Sequence, residues 1–333
     1  MRRLLAVISV LALAASACSS SDSEDGALTL YSGRSEELVQ PLIDDFSERT
    51  GIRVTVRYGD SAALAATILE EGGGSPADAF LAQDPASLGT VALEGLFERL
   101  DEGLVAPVPA RFSDSELRWV GISGRARVVV YDGSVLSPED LPESEDGFTD
   151  PMWAGRVGIA PTNGSFLAFV AAKILVDGEE AARSWLEGMA ANQSPTYPKN
   201  SAIVTAVNDG QVEAGLVNHY YLLRALASDP DVPGRNHFFD IATAGSLVMP
   251  SGIGVLESSE NAAEATELVR FLLTEGAQRY FAEETFEYPL LPGIDADPRL
   301  PAIESIPTPA VDLSEIATML DLATDLVAEA GLL

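Results

Sequence analysis

WVGISGRARVVVYD, Trp119 to Asp132, reads as one long β-rich segment, and a second, GSLVMPSGIGVLE, stands at 245–257. Around these two the chain alternates strands with helices. ALTLYSG (27–33) is a buried strand entering a turn. A helix follows from about Glu36, with Ser35 as N-cap and Gly51 as stop. IRVTVRYG (52–59) has the period of two of a strand, Ser61–Glu71 that of a helix ending in the loop GGGSP, ADAFLA is a strand and PASLGTVALEGLF a helix. A turn-rich stretch, 133–151, separates this half from RVGIAPT, two helical runs over 165–191, a helix over Ser201–Asp209 and the strand EAGLVNH. Helices follow the second β-rich segment, then a proline-rich tail and a last amphipathic helix, Ser314–Ala330. Such alternation predicts parallel pairing in an α/β sheet. Two such halves joined by two β crossovers describe a hinged clamshell.

The 333 residues carry 51 Asp and Glu against 20 Lys and Arg, a formal charge of −31. That surface repels nucleic acid and bare anionic lipid, and nothing makes a basic groove. It reads as a well-solvated coat. The chain opens with Arg2 and Arg3, an apolar run from Leu4 to Ala15 too short to span a bilayer, and small residues ending at Cys18, the only cysteine. An acidic tether, 19–26, follows. The pattern resembles a bacterial lipoprotein signal (residues 1–18) cleaved before Cys18, with Ala15 where leucine is commonest. It predicts a lipid-anchored, extracytoplasmic protein without disulfides or thiolate metal sites.

Two of the 8 tyrosines, Tyr220 and Tyr221, are adjacent, where the strand ending near Asn218 meets the helical YLLRALA. The carboxyl end of a strand is where open α/β sheets bind ligands, and a change of backbone type can turn neighbouring side chains toward one cleft. A phenol has a pKa near 10 and yields its proton beside a trivalent cation. The resulting hard anionic oxygen suits Fe(III). Two phenolates offset two of its three charges and leave an incentive to bind an anion. Core packing of one tyrosine and a rim position for the other is the competing reading. Catalytic motifs are missing from the sequence: no G-x-S-x-G, no H-E-x-x-H, no Walker loop, and two histidines, read as structural.

The segments LTLYSGR, GGGSPADAFLAQD, WVGISGRARVVVYD, APTNGSF, YPKNSAIVTAVNDGQVEAGLVNHYY, GSLVMPSGIGVLESS and EYPLLP resemble, nearly end to end, the bacterial periplasmic ferric-ion-binding proteins, the transferrin-like solute-binding components of iron ABC transporters. The resemblance implies a type II periplasmic-binding-protein fold. Lobe 1 is expected over 27–124 and 249–300, and lobe 2 over 125–248 and 301–333. Tyr220 and Tyr221 fall on the paired iron ligands. Asn163, Gly164, Ser165, Asn200 and Asn218 match the pocket for an accompanying phosphate or carbonate, with Arg125 nearby. TNGSF opens a helix, whose free N–H groups favour an anion. This sequence departs from the family in having Ser35 in place of a histidine ligand and Gln83 in place of a glutamate ligand. Neither is a good Fe(III) donor, so the first lobe is expected to have lost its protein ligands unless Asp84 beside Gln83 rotates in. The implied function is capture of ferric iron, with a small anion or chelator completing the coordination, by a monomer that delivers it to an ABC permease. A phosphorylated organic solute or thiamine is the alternative cargo, and a secreted acid–base hydrolase the distant one. Tyr31, Tyr58 and Tyr197 read as packing residues first.

Overall fold

A computed structural model describes residues 27–333; the expected export signal (1–18), Cys18 and the expected tether (19–26) lie outside them. Among the described residues no helix is long and apolar enough to cross a membrane.

β1 (Ala27–Ser32), α1 (Glu36–Thr50), β2 (Arg53–Tyr58), α2 (Ser61–Glu71), β3 (Ala79–Ala82) and α3 (Pro85–Leu93) follow the expected alternation. α1 stops at Gly51, whose φ of 76° is the left-handed conformation a glycine adopts without a Cβ penalty. Ser35 sits at the cap position but makes no side-chain bond there. α2 and α3 are capped by carboxylates: Asp60 accepts from the N–H groups of Ala62 and Ala63, and Asp84 from that of Ser87 at 2.8 Å. α3 ends earlier than its apolar pattern suggests, because Gly95 (φ 69°) turns the chain and Phe97 then bridges to Leu256.

α4 (Glu102–Val105) precedes β4 (Val120–Asp132), which is followed by β5 (Val157–Gly158), α5 (Gly164–Asp177), α6 (Glu179–Ala191), α7 (Asn200–Asn208), β6 (Ala214–Asn218), α8 (Tyr220–Ser228) and β7 (Gly234–His237). β8 (Val248–Val255), α9 (Ala262–Leu272), α10 (Glu275–Glu283) and α11 (Leu320–Glu329) complete the chain. The last amphipathic stretch is not one helix. Leu313–Met319 forms 3₁₀ turns capped by Asp312, and only then does α11 begin.

The sheet order is β2-β1-β3-β8-β4-β6-β5, with β7 also on β4. β1 runs parallel to β2 and β3, and β5 parallel to β6, while every pairing of β4 and β8 is antiparallel. β4, buried along its whole length, changes partners in mid-strand. Val120–Ala126 pairs with β8, and Arg127–Tyr131 with β6. One continuous strand thus carries the chain from one half of the sheet to the other, and β8 enters beside the changeover, opposite Ala126. Gly121, where the register with β8 shifts, has no room for a side chain: a Cβ there would meet the Phe112 carbonyl oxygen at 2.5 Å.

The 3₁₀ turns of the tail pack against both α3 and α5. A Cβ on Gly89 of α3 would stand 2.6 Å from the Cβ of Ala317, so helix and tail meet backbone to backbone. One large apolar cluster, including Phe46, Phe112, Val129, Phe169, Trp185 and Ile316, runs through both halves of the sheet.

Candidate functional site

His219 already has helical dihedrals (φ −56°, ψ −39°), so Tyr220 and Tyr221 open the first turn of α8 directly off the end of β6. Their rings stack, with centroids 4.2 Å apart and planes 28° apart. Tyr220 is buried and Tyr221 half-buried. The change from strand to helix falls before the pair, at Asn218–His219, so both tyrosines lie within α8, where successive Cβ directions diverge by about 100°, and it is their side chains that fold over onto one another.

Three buried arginines surround the pair. The Arg34 guanidinium lies 5.9 Å from the centre of the Tyr220 ring. Its Nη2 donates to Glu287, which also accepts from the Ser123 hydroxyl on β4, and all three side chains are buried. Burial opposes the Arg34 charge, but Glu287 and then the two phenols outweigh it and raise its pKa. Arg125 and Arg127 sit two residues apart on one face of β4, on either side of its change of partner. Arg127 Nη1 donates to Asn218 Oδ1 at 3.3 Å, while its Nη2 and the Nε and Nη1 of Arg125 have no partner. Burial, and next the Arg125 charge, lower Arg127 to about 9. Buried donors without partners are costly, and native structures normally satisfy them, so these point to an acceptor supplied by a guest. Burial, with Tyr221 adding to it, pushes the Tyr220 phenol well above 10, and Arg34 only partly offsets this.

The candidate anion residues come together. Asn163 caps α5, its Oδ1 accepting from Ser165 N–H at 3.1 Å and from the Ser165 hydroxyl at 2.6 Å. Asn200, at the start of α7, donates to Ser165 Oγ at 2.9 Å and leaves its own Oδ1 unpartnered. Gln83 and Asp84 approach from the other half of the sheet: a Cβ on Gly164 would lie 3.7 Å from Gln83 Nε2 and 3.6 Å from Asp84 Oδ2. Asp84 is held by Ser87 as the cap of α3, and burial raises its pKa against the pull of those bonds and of Arg125. Ser35 is exposed at the start of α1.

His219 is bound at both nitrogens. Nδ1 accepts from Ala126 N–H at 3.1 Å, so Nε2 carries the proton and donates to the Phe286 carbonyl at 2.8 Å. Burial lowers it to about 4. His237 packs edge-on against Phe239. Tyr31 bonds Glu71 and Arg57, Tyr58 bonds Gln40, and Tyr197 covers Gly158, so none of these three joins the Tyr220 pair. Sequence reading gave no role to Arg34, Arg127, Ser123 or Glu287. Arg127 was within reach, two residues from Arg125 on a strand face. Glu287 lies 253 residues from Arg34, beyond any spacing rule.

The family description "Bacterial extracellular solute-binding protein" matches residues 75–312. The chain belongs to that family. It is therefore a solute-binding transport protein working outside the cytoplasm, not an enzyme. It is 36% identical over 315 residues to the major ferric iron-binding protein of Neisseria meningitidis, covering 92% of this chain and 93% of that one. Its structure is similar to that of iron-bound HitA from Pseudomonas aeruginosa (TM-score 0.87, 34% identity, 92% and 99% of the two chains). It is similar also to Trichodesmium IdiA (FutA) in complex with iron and citrate (TM-score 0.80, 28% identity, 92% and 99%). The α/β fold is that of the periplasmic ferric-binding proteins.

Proposed function

We propose that this protein captures ferric iron between its two halves, with Tyr220 and Tyr221 as the ligands from the chain and an anion or small chelator completing the coordination. The observation that carries the reading is the stacked tyrosine pair set among Arg34, Arg125 and Arg127. Relatives named for ferric iron, and a similar structure holding iron and citrate, support it.

Charge decides the form of the cargo. Two phenolates leave one of the three charges of Fe(III) uncompensated. Arg34 is matched by Glu287, but the buried Arg125 and Arg127 add two more charges, and only Asp84 lies near enough to Arg125 to offset part of them. A bare ion would leave the site net positive, whereas a phosphate, carbonate or carboxylate chelator bound to the iron would accept the free arginine N–H groups. The N-terminus of α5, with Asn163, Gly164 and Ser165, and the amides of Asn200 and Asn218 would hold the same anion without adding charge. Gln83 and Asp84 would close over it from the other half, with Ser35 outside.

The halves would act as lobes, 27–124 with 249–300 and 125–248 with 301–333, hinged at the partner change of β4 and the entry of β8. Cys18, once lipidated, would tether the monomer to the outer face of the membrane, where it would deliver iron to an ABC permease. Adding Fe(III)-citrate, or Fe(III) with phosphate, to the purified protein should produce a visible tyrosinate charge-transfer band that Tyr220→Phe with Tyr221→Phe abolishes. A colourless protein that instead binds a phosphorylated organic solute through Arg125 and Arg127 would overturn the iron assignment.

A further inference from the structure

Away from the tyrosine pair, the segment 102–117, the segment 288–296 and residues 302–304 line an open cavity of about 830 Å³. That is the size of a small-molecule site. None of the residues placed around Tyr220 lines it. Its inner wall is apolar and firmly built: Val108, Phe112 and Leu290 are buried, and Leu290, Tyr288 and Ile303 lie against Gly121 and Gly124 of β4.

The polar lining is one-sided. Four prolines, Pro107, Pro109, Pro289 and Pro292, contribute carbonyl groups but no N–H donors. Glu102, Asp295 and Glu304 stand exposed on the lining, and none forms an ion pair with a described residue. Among the described residues the only basic side chain on the lining, Arg111, has its guanidinium 4.6 Å from the centre of the Phe112 ring. Asp114 is occupied by the N–H groups of Glu116 and Arg118. The Ser113 hydroxyl is buried behind the lining. The cavity thus combines an apolar body with acceptors in excess.

We propose that this cavity is a second ligand site, for a bulky apolar molecule carrying a primary ammonium group. The rings or branches of the guest fill the space between Phe112, Leu290 and Ile303. Its N–H donors are shared between one of these carboxylates and the proline-flanked carbonyls. Attraction of a −31 chain for any cation is a weaker claim, since it needs no cavity and disappears in salt.

The probe is 3,3-diphenylpropylammonium, compared with 3,3-diphenylpropan-1-ol and 4,4-diphenylbutanoate, titrated by calorimetry and by amide chemical shifts in buffer with 0.15 M salt. The amine should bind saturably, at least about tenfold tighter than the alcohol and tighter still than the carboxylate, with shifts at Phe112, Ser113 and Leu290. Ala110→Trp, an exposed lining position, should weaken it about tenfold by filling the mouth. Asp295→Asn with Glu304→Gln should reduce the amine to the affinity of the alcohol. Tyr220→Phe with Tyr221→Phe should leave amine binding unchanged. Absence of saturable binding, equal binding of the three probes, or indifference to Ala110→Trp would overturn the proposal.

Discussion

His219 shows how a residue beside the site can serve it without touching the cargo. Its ring joins three pieces of chain that sequence keeps far apart: the changeover of β4 through Ala126 N–H, the end of β6, and the Phe286 carbonyl next to Glu287. Its structural reading was legible, because a histidine preceding Tyr220 at a strand end has little freedom to share the cleft. Its partners were not, since they come from residues 93 and 67 positions away. Burial holds the folded-state pKa at about 4, against 6.5 for the free side chain. The unfolded chain therefore takes up a proton that the folded chain refuses. Stability from this group is present above about pH 6.5 and is lost as pH falls to about 4, by about 3 kcal/mol in all. His219→Gln can still donate to Phe286 but leaves Ala126 N–H unpaired. It should cost about 1–3 kcal/mol at pH 7, and the difference from the parent should shrink between pH 6.5 and 4. Urea melts of both proteins across that range check this; a pH-independent difference would show that His219 does not titrate with folding.

At the scale of elements, the stop was more readable than the caps. Gly51 ends α1 as expected, whereas Ser35, read as a cap, makes no cap bond, and Asp84 and Asn163, read for the site, are the residues that cap α3 and α5. Errors came where tertiary packing overrode a local pattern. The apolar run after Leu93 leaves the helix so that Phe97 can bridge to Leu256, and the amphipathic tail tightens into 3₁₀ turns where it wedges against Gly89. Asp84 tests the difference between a cap and a ligand. Asparagine caps as well as aspartate but offers no anionic oxygen to iron. Asp84→Asn should thus leave stability within about 0.5 kcal/mol and the ferric tyrosinate band unchanged, whereas Asp84→Ala should cost about 0.5–2 kcal/mol through loss of the α3 cap. Thermal melts and titration of both variants decide it: a band lost in Asp84→Asn with the fold intact would make Asp84 a ligand.

For the whole molecule, the clamshell was visible from two β-rich segments alone, because crossovers of that length between alternating halves leave few other architectures. That one of them is a single strand shared by both halves was not visible, since partner choice is a long-range property. Nor was the tail's position. It packs on α3, capped by Asp84, and on α5, capped by Asn163, the two helices whose N-termini face each other. A segment gripping both helices limits how far they can part. Gly89 is where the grip is tightest, because a side chain there would overlap Ala317. Gly89→Val should therefore push the tail off α3 at a cost of about 1–3 kcal/mol. With that restraint weakened, the ligand-free variant should show a larger radius of gyration by small-angle scattering than the ligand-free parent. The two iron-loaded proteins should agree, since cargo bridging the halves supplies the restraint the tail has lost. Equal radii without cargo, in a variant that is measurably destabilised, would mean that the tail stabilises the fold without governing its opening.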